Sequence, residues 1–124
     1  MLDPIKLANK NFLSSLDISC EELLHIIELA KKLKNKDLNI KLKEKVLGLI
    51  FDKSSTRTRV SFQVAMSRLG GTTVDLNPTT SQIGRGEPIR DTARVLSRYC
   101  DVLAIRTFKQ TDLEEYAKLS LIHI

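Results

Sequence analysis

Val46-Leu47-Gly48-Leu49-Ile50-Phe51 is an unbroken apolar run, and the polar stretch Asp52-Lys53-Ser54-Ser55-Thr56-Arg57-Thr58-Arg59 follows it directly. A short apolar run without alternation fits a strand buried on both faces, and such strands belong to parallel sheets. Downstream, Val60, Val64, Ala65 and Leu69 recur at helical spacing, and Gly70-Gly71 closes that helix. Thr72 to Leu76 reads as a second strand. Residues 77–87 form a long polar loop, and Pro88 suits the first position of a helix running to about Tyr99. Val102-Leu103-Ala104-Ile105 is another buried strand. Thr111-Asp112-Leu113-Glu114 has the form of a capping box opening a helix to about Lys118, and residues 121–124 suit the start of one more strand.

Upstream, Ser19-Cys20-Glu21-Glu22 is a first capping box, with Ser19 as the cap. Leu23, Leu24, Ile26, Ile27, Leu29 and Ala30 give the helix over about 20–35 one broad apolar face. The lysine-rich residues 31–45 end it and form a solvated connection. The order is a helix, then strand and helix in alternation. The expected fold class is therefore α/β, a parallel sheet flanked by helices, with residues 1–124 forming one domain.

Composition narrows the function classes. The chain has 124 residues with 42% hydrophobic and 28% charged, which is an ordinary globular balance. Two cysteines cannot staple a domain of this size. No apolar run approaches the ~18 residues of a membrane helix, and Met1-Leu2-Asp3-Pro4 does not open a signal peptide. The expectation is a cytoplasmic protein with no membrane partner. Cys20 and Cys100 are expected to be small buried or half-buried residues, and His25 and His123 lack partners at metal spacing.

The net charge of +5 is unevenly made. All eight arginines lie between Arg57 and Arg106, and no lysine falls between them. The guanidinium is a rigid fork of donors that matches phosphate or carboxylate, so the middle of the chain is where an anion is expected. No dense basic cluster occurs and aromatic residues are 5%, so nucleic acid is not expected as a partner.

In parallel sheets ligands sit outside the carboxyl ends of the strands. Three segments fall there: Ser54 to Arg59, the loop Ser81-Gln82-Ile83-Gly84-Arg85-Gly86-Glu87, and Arg106. A helix N-terminus offers unpaired N–H groups and partial positive charge. With the hydroxyls of Ser55, Thr56 and Thr58 and the Arg57 guanidinium, it makes an anion cradle. A single Ser or Thr there would be plain capping; the full hexapeptide after a buried strand favours phosphate. It is not a Walker loop, and Gly84-Arg85-Gly86 is not a dinucleotide fingerprint. The long loop has the length of a lid or an interface. Arg106 suits an anion as well as it suits solvent.

Phe51-Asp52-Lys53-Ser54-Ser55-Thr56-Arg57-Thr58-Arg59-Val60-Ser61-Phe62 resembles the carbamoyl-phosphate motif of the aspartate/ornithine carbamoyltransferase family. Leu69-Gly70-Gly71, residues 81–87, Asp91 to Ser97 and the segment around Arg106 resemble the ornithine branch. The resemblance covers about residues 10–118. It implies that Ser55, Thr56, Arg57 and Thr58 bind the phosphate of carbamoyl phosphate, and that Arg57 stabilises it as it leaves. Arg106 would polarise the carbamoyl carbonyl. Gln82 would belong to a loop reaching a neighbouring subunit's site in a homotrimer. The implied reaction moves the carbamoyl group to the δ-amine of L-ornithine, giving L-citrulline and phosphate, with no metal or organic cofactor. That places it in arginine metabolism, in synthesis or breakdown.

The second, ornithine-binding domain of the family is missing, as is its His-Pro-Cys-Gln loop, so truncation is expected and this chain alone is expected to be inactive. Cys20 and Cys100 do not match the family's late cysteine. Two alternatives stay open: a non-catalytic carbamoyl-phosphate-binding or assembly module, and a relative acting on putrescine, acetylornithine or aspartate.

Overall fold

The computed structural model describes residues 11–37, 39–51, 56–76, 89–107 and 109–119. A single 3-10 turn at Ser15–Asp17 precedes helix α1, Cys20–Lys34. Then come β1 (Val46–Phe51), α2 (Thr56–Arg68), β2 (Thr72–Leu76), α3 (Ile89–Leu96), β3 (Val102–Arg106) and α4 (Gln110–Leu119). The three strands form one parallel sheet in the order β2-β1-β3. The expected α/β class, a parallel sheet flanked by helices, is what the chain adopts.

β1 is the central strand, and its side chains alternate between two apolar layers. Leu47, Leu49 and Phe51 pack on one face with Met66 of α2 and Ala104. Ile50 packs on the other with Ala93 and Leu96 of α3, Cys100 from the α3–β3 connection, Leu103 of β3 and Tyr116 of α4. Leu49 is 0% exposed. Full burial of such a leucine stabilises the fold by about 1.5–3 kcal/mol. Gly48 lets the second layer close, because a Cβ there would stand 2.6 Å from Leu103 Cδ2. Asp101 ties the starts of β1 and β3 together: its N–H donates to Val46 O at 2.9 Å, and its Oδ2 accepts from Val46 N at 2.8 Å.

The Ser19 cap forms as expected. Glu22 N donates to Ser19 Oγ at 3.1 Å, and Ser19 N donates to Glu22 Oε1 at 3.0 Å. Ser14 and Asp17 make the same reciprocal box around the preceding turn. α2 closes on Gly70, whose φ of 84° is the left-handed conformation. Gly71 N reaches Met66 O at 2.8 Å and Gly70 N reaches Ser67 O at 3.1 Å, the paired bonds of a Schellman stop.

Four readings change. α4 begins at Gln110, so Thr111 lies inside the helix rather than capping it. Instead Thr107 Oγ1 donates to Asp112 Oδ2 at 3.4 Å. α3 ends at Leu96, and residues 97–99 continue as tight turns, with Arg98 N on Val95 O and Tyr99 N on Leu96 O. Cys20 is exposed, because it opens a helix none of whose residues is buried. On α2, Val60, Val64 and Phe62 are 48%, 42% and 38% exposed, so contacts rather than exposure define its inner row. The sheet-facing row is Arg59, Phe62 and Met66, since Phe62 meets Phe51 and Met66 joins the β1 layer. The expected features at Pro88, residues 77–87 and residues 121–124 lie outside the described residues.

Candidate active site at the carboxyl edge of the sheet

In a parallel sheet all strand ends of one sense share an edge. Here that edge carries Phe51, Leu76 and Arg106. Phe51 and Arg106 are register partners on β1 and β3. β3 extends one residue further than the apolar run suggested, which brings Arg106 into the ladder.

α2 starts beside this edge, at Thr56. Thr56, Arg57 and Thr58 are all exposed on its first turn. The Ser61 hydroxyl donates back along the helix to Thr58 O at 2.8 Å. The first turn contains no acidic residue. Two guanidiniums, Arg57 and Arg59, therefore sit where the helix dipole favours negative charge. An anion at this position would satisfy the unpaired N–H groups and offset the arginine charge together.

The two arginines are placed differently. Positions two apart on a helix point about 200° apart around its axis. Arg59 turns to the sheet: its Nε lies 3.3 Å from Asp75 Oδ2, and its Cζ is 5.5 Å from the centre of the Phe51 ring. Phe62 contacts the same ring, with centroids 6.5 Å apart. Arg57 faces away, exposed, and no described residue pairs with it. Arg106 is likewise exposed. Thus Thr56, Arg57, Thr58 and Arg106 gather at one edge, while Ser55 and Gln82 lie outside the described residues. The Arg59–Asp75–Phe51 contacts were not anticipated. The one sequence signal for them is the alternation of Arg57 and Arg59 about the helix axis.

Other chemistry is sparse among the described residues. No group of three or more His, Cys, Asp or Glu is arranged to hold a metal ion. No helix is long and apolar enough to cross a membrane. Burial pushes the Cys100 thiol up from its ordinary value, and the neighbouring Asp101 charge adds to the effect. Cys100 precedes β3, at the end of the sheet opposite Arg57 and Arg106.

A model of the aspartate/ornithine carbamoyltransferase carbamoyl-phosphate-binding domain matches residues 10–124. The chain belongs to this family. The ornithine carbamoyltransferase of Prochlorococcus marinus subsp. pastoris is 78% identical over 120 residues, covering 97% of this chain and 39% of that protein. The crystal structure of ornithine carbamoyltransferase from Gloeobacter violaceus superposes with a TM-score of 0.80 at 51% identity, over 91% of this chain and 36% of that one. The aspartate transcarbamoylase of Trypanosoma cruzi in complex with carbamoyl phosphate gives a TM-score of 0.86 at 32% identity, over 96% of this chain and 38% of that one. The chain spans about two fifths of the length of the relatives it matches.

Proposed function

We propose that this chain is the carbamoyl-phosphate half of an ornithine carbamoyltransferase. The observation that carries the reading is the first turn of α2, with Thr56, Thr58 and an Arg57 that no described residue pairs with, at the sheet edge that also carries Arg106. Identity favours ornithine over aspartate as acceptor: 78% and 51% to ornithine enzymes, against 32% to the aspartate enzyme.

In this reading Ser55, Thr56, Arg57 and Thr58 hold the phosphate at the helix N-terminus. Arg106 donates to the carbamoyl carbonyl oxygen. When the δ-amine of ornithine attacks that carbon, negative charge grows on the carbonyl oxygen, and Arg106 stabilises it. As the carbon–oxygen bond to phosphate breaks, charge moves to the departing phosphate, where Arg57 and the helix N–H groups stabilise it. Donors fixed before the reaction stabilise the transition state more than the ground state, because no reorganisation is needed. The attacking nitrogen gives up one proton, which leaves on the phosphate, so the products are citrulline and hydrogen phosphate. Gln82 would enter a neighbouring subunit's site in a homotrimer, and the ornithine site would come from a second domain. The setting is cytoplasmic amino-acid metabolism.

Titration calorimetry of the chain with carbamoyl phosphate and with inorganic phosphate tests the reading. Saturable binding of both, with carbamoyl phosphate the tighter, is expected. Ligand at 100 times Kd should raise folding stability by about 2.7 kcal/mol. A folded chain that binds neither ligand would overturn it.

A further inference from the structure

We propose that Arg59 is a positioning residue, which clasps the first turn of α2 to the sheet so that Arg57 on the opposite face meets the anion. This rests on the phosphate reading above and adds a part to it.

The geometry is specific. Asp75 is the residue before the end of β2 and pairs in register with Leu49 of β1. Phe51 ends β1 and pairs with Arg106. Arg59 therefore touches two of the three strands whose ends form the edge, β2 through charge and β1 through an aromatic face. Its side chain is only 26% exposed, and that of Asp75 32%. Arg59 Nε is buried and makes no aligned hydrogen bond, although Asp75 Oδ2 stands 3.3 Å away. The contact is thus an ion pair in which charge, not hydrogen-bond direction, supplies the attraction. A pair this shielded from solvent is screened less than one on the surface.

The electrostatic logic is a division of labour. Both arginines oppose the helix dipole. Asp75 pairs with Arg59, and no described residue pairs with Arg57. Without Asp75, the helix start would lose its charged anchor to the sheet. An arginine suits this position better than a lysine, because its flat guanidinium stacks on Phe51 while its edge faces the carboxylate.

The test is a double-mutant cycle read by phosphate titration, joined to amide hydrogen exchange in unliganded protein. The chains are wild type, Arg57→Ala, Arg59→Met and the double variant, with Asp75→Asn as a milder break of the same contact. Arg59→Met and Asp75→Asn should each weaken inorganic phosphate binding on the order of tenfold. On the Arg57→Ala background the Arg59→Met change should cost about twofold or less, because Arg59 acts through Arg57. The amides of Val60, Ser61 and Phe62 should lose protection in both variants, while Leu49 and Ile50 keep theirs. Equal losses on both backgrounds would overturn the proposal, since Arg59 would then act on the anion by itself. Unchanged protection at residues 60–62, or loss spread evenly over the sheet, would overturn it too. A wild-type chain that binds no phosphate would sink the proposed function, and the exchange pattern would still decide the clasp.

Discussion

Phe51 and Arg106 stand opposite each other at the last rung of the β1–β3 ladder. The Phe51 side chain is buried in the layer that carries α2, and Arg106 is exposed on the neighbouring strand. One rung thus joins the core that seats α2 to an exposed arginine at the carboxyl edge of the sheet. Any shift of register between these strands would move Arg106 relative to the start of α2.

Arg57 and Arg106 should be separable by ligand. Arg57→Ala should weaken inorganic phosphate and carbamoyl phosphate alike, each by about 1.5–3 kcal/mol, the value of a hydrogen bond to a charged group. Arg106→Ala should weaken carbamoyl phosphate clearly more than phosphate, because its proposed partner is the carbonyl oxygen. Calorimetric titration of both ligands checks this, and equal losses for Arg106→Ala would remove its carbonyl role.

Gly48→Ala should destabilise the fold by about 1–3 kcal/mol through overpacking. The new methyl would lie 2.6 Å from Leu103 Cδ2 and 3.1 Å from Cys100 Sγ. Urea unfolding measures the loss. Adding Leu103→Val should recover part of it, because that change removes bulk where the methyl intrudes.

Gly70→Ala tests backbone conformation alone. A Cβ there would meet nothing within 4 Å, but the φ of 84° is left-handed. The expected cost is about 1 kcal/mol, set by steric strain between Cβ and the backbone. Gly71→Ala should cost more, since its Cβ would press on the Met66 side chain and Lys45 O. Thermal unfolding of the two variants gives the order.

The Cys100 thiol ionises at a higher pH in the folded chain than in the unfolded one, because burial and Asp101 disfavour the thiolate. The unfolded state therefore loses this proton first as pH rises. Its stabilising contribution is complete below the ordinary value of 9.0 and is lost as pH climbs from there through the raised value. Cys100→Ala should flatten that alkaline fall in stability. In native protein iodoacetamide should label the exposed Cys20 well before the buried Cys100.

Local rules act within a few residues, and those features were readable in the chain itself. Ser19 and Glu22 cap α1 because their side chains reach backbone groups three residues away. Gly70 stops α2 because a left-handed residue is needed there. The unbroken run at β1 demanded burial on both faces, and the sheet supplies it. The motif over residues 55–58 and Arg106 pointed to the carboxyl ends of the strands by following buried runs, and the structure puts Thr56 to Thr58 and Arg106 at that edge, where anion binding is proposed. Helix rotation and strand register are set by contacts distant in sequence, and there the tertiary structure decided. Val60 and Val64 have the apolar character of a core row, yet Phe62 and Met66 face the sheet, where Phe51 and the β1 layer meet them. Thr111 has a capping residue's chemistry, but the helix starts one residue earlier. Arg57 and Arg59 are the same residue type two positions apart. Only the packing of α2 on β1 and β2 gives one a carboxylate partner while the other has none among the described residues, because an ion pair between residues 59 and 75 exists only once the sheet has formed.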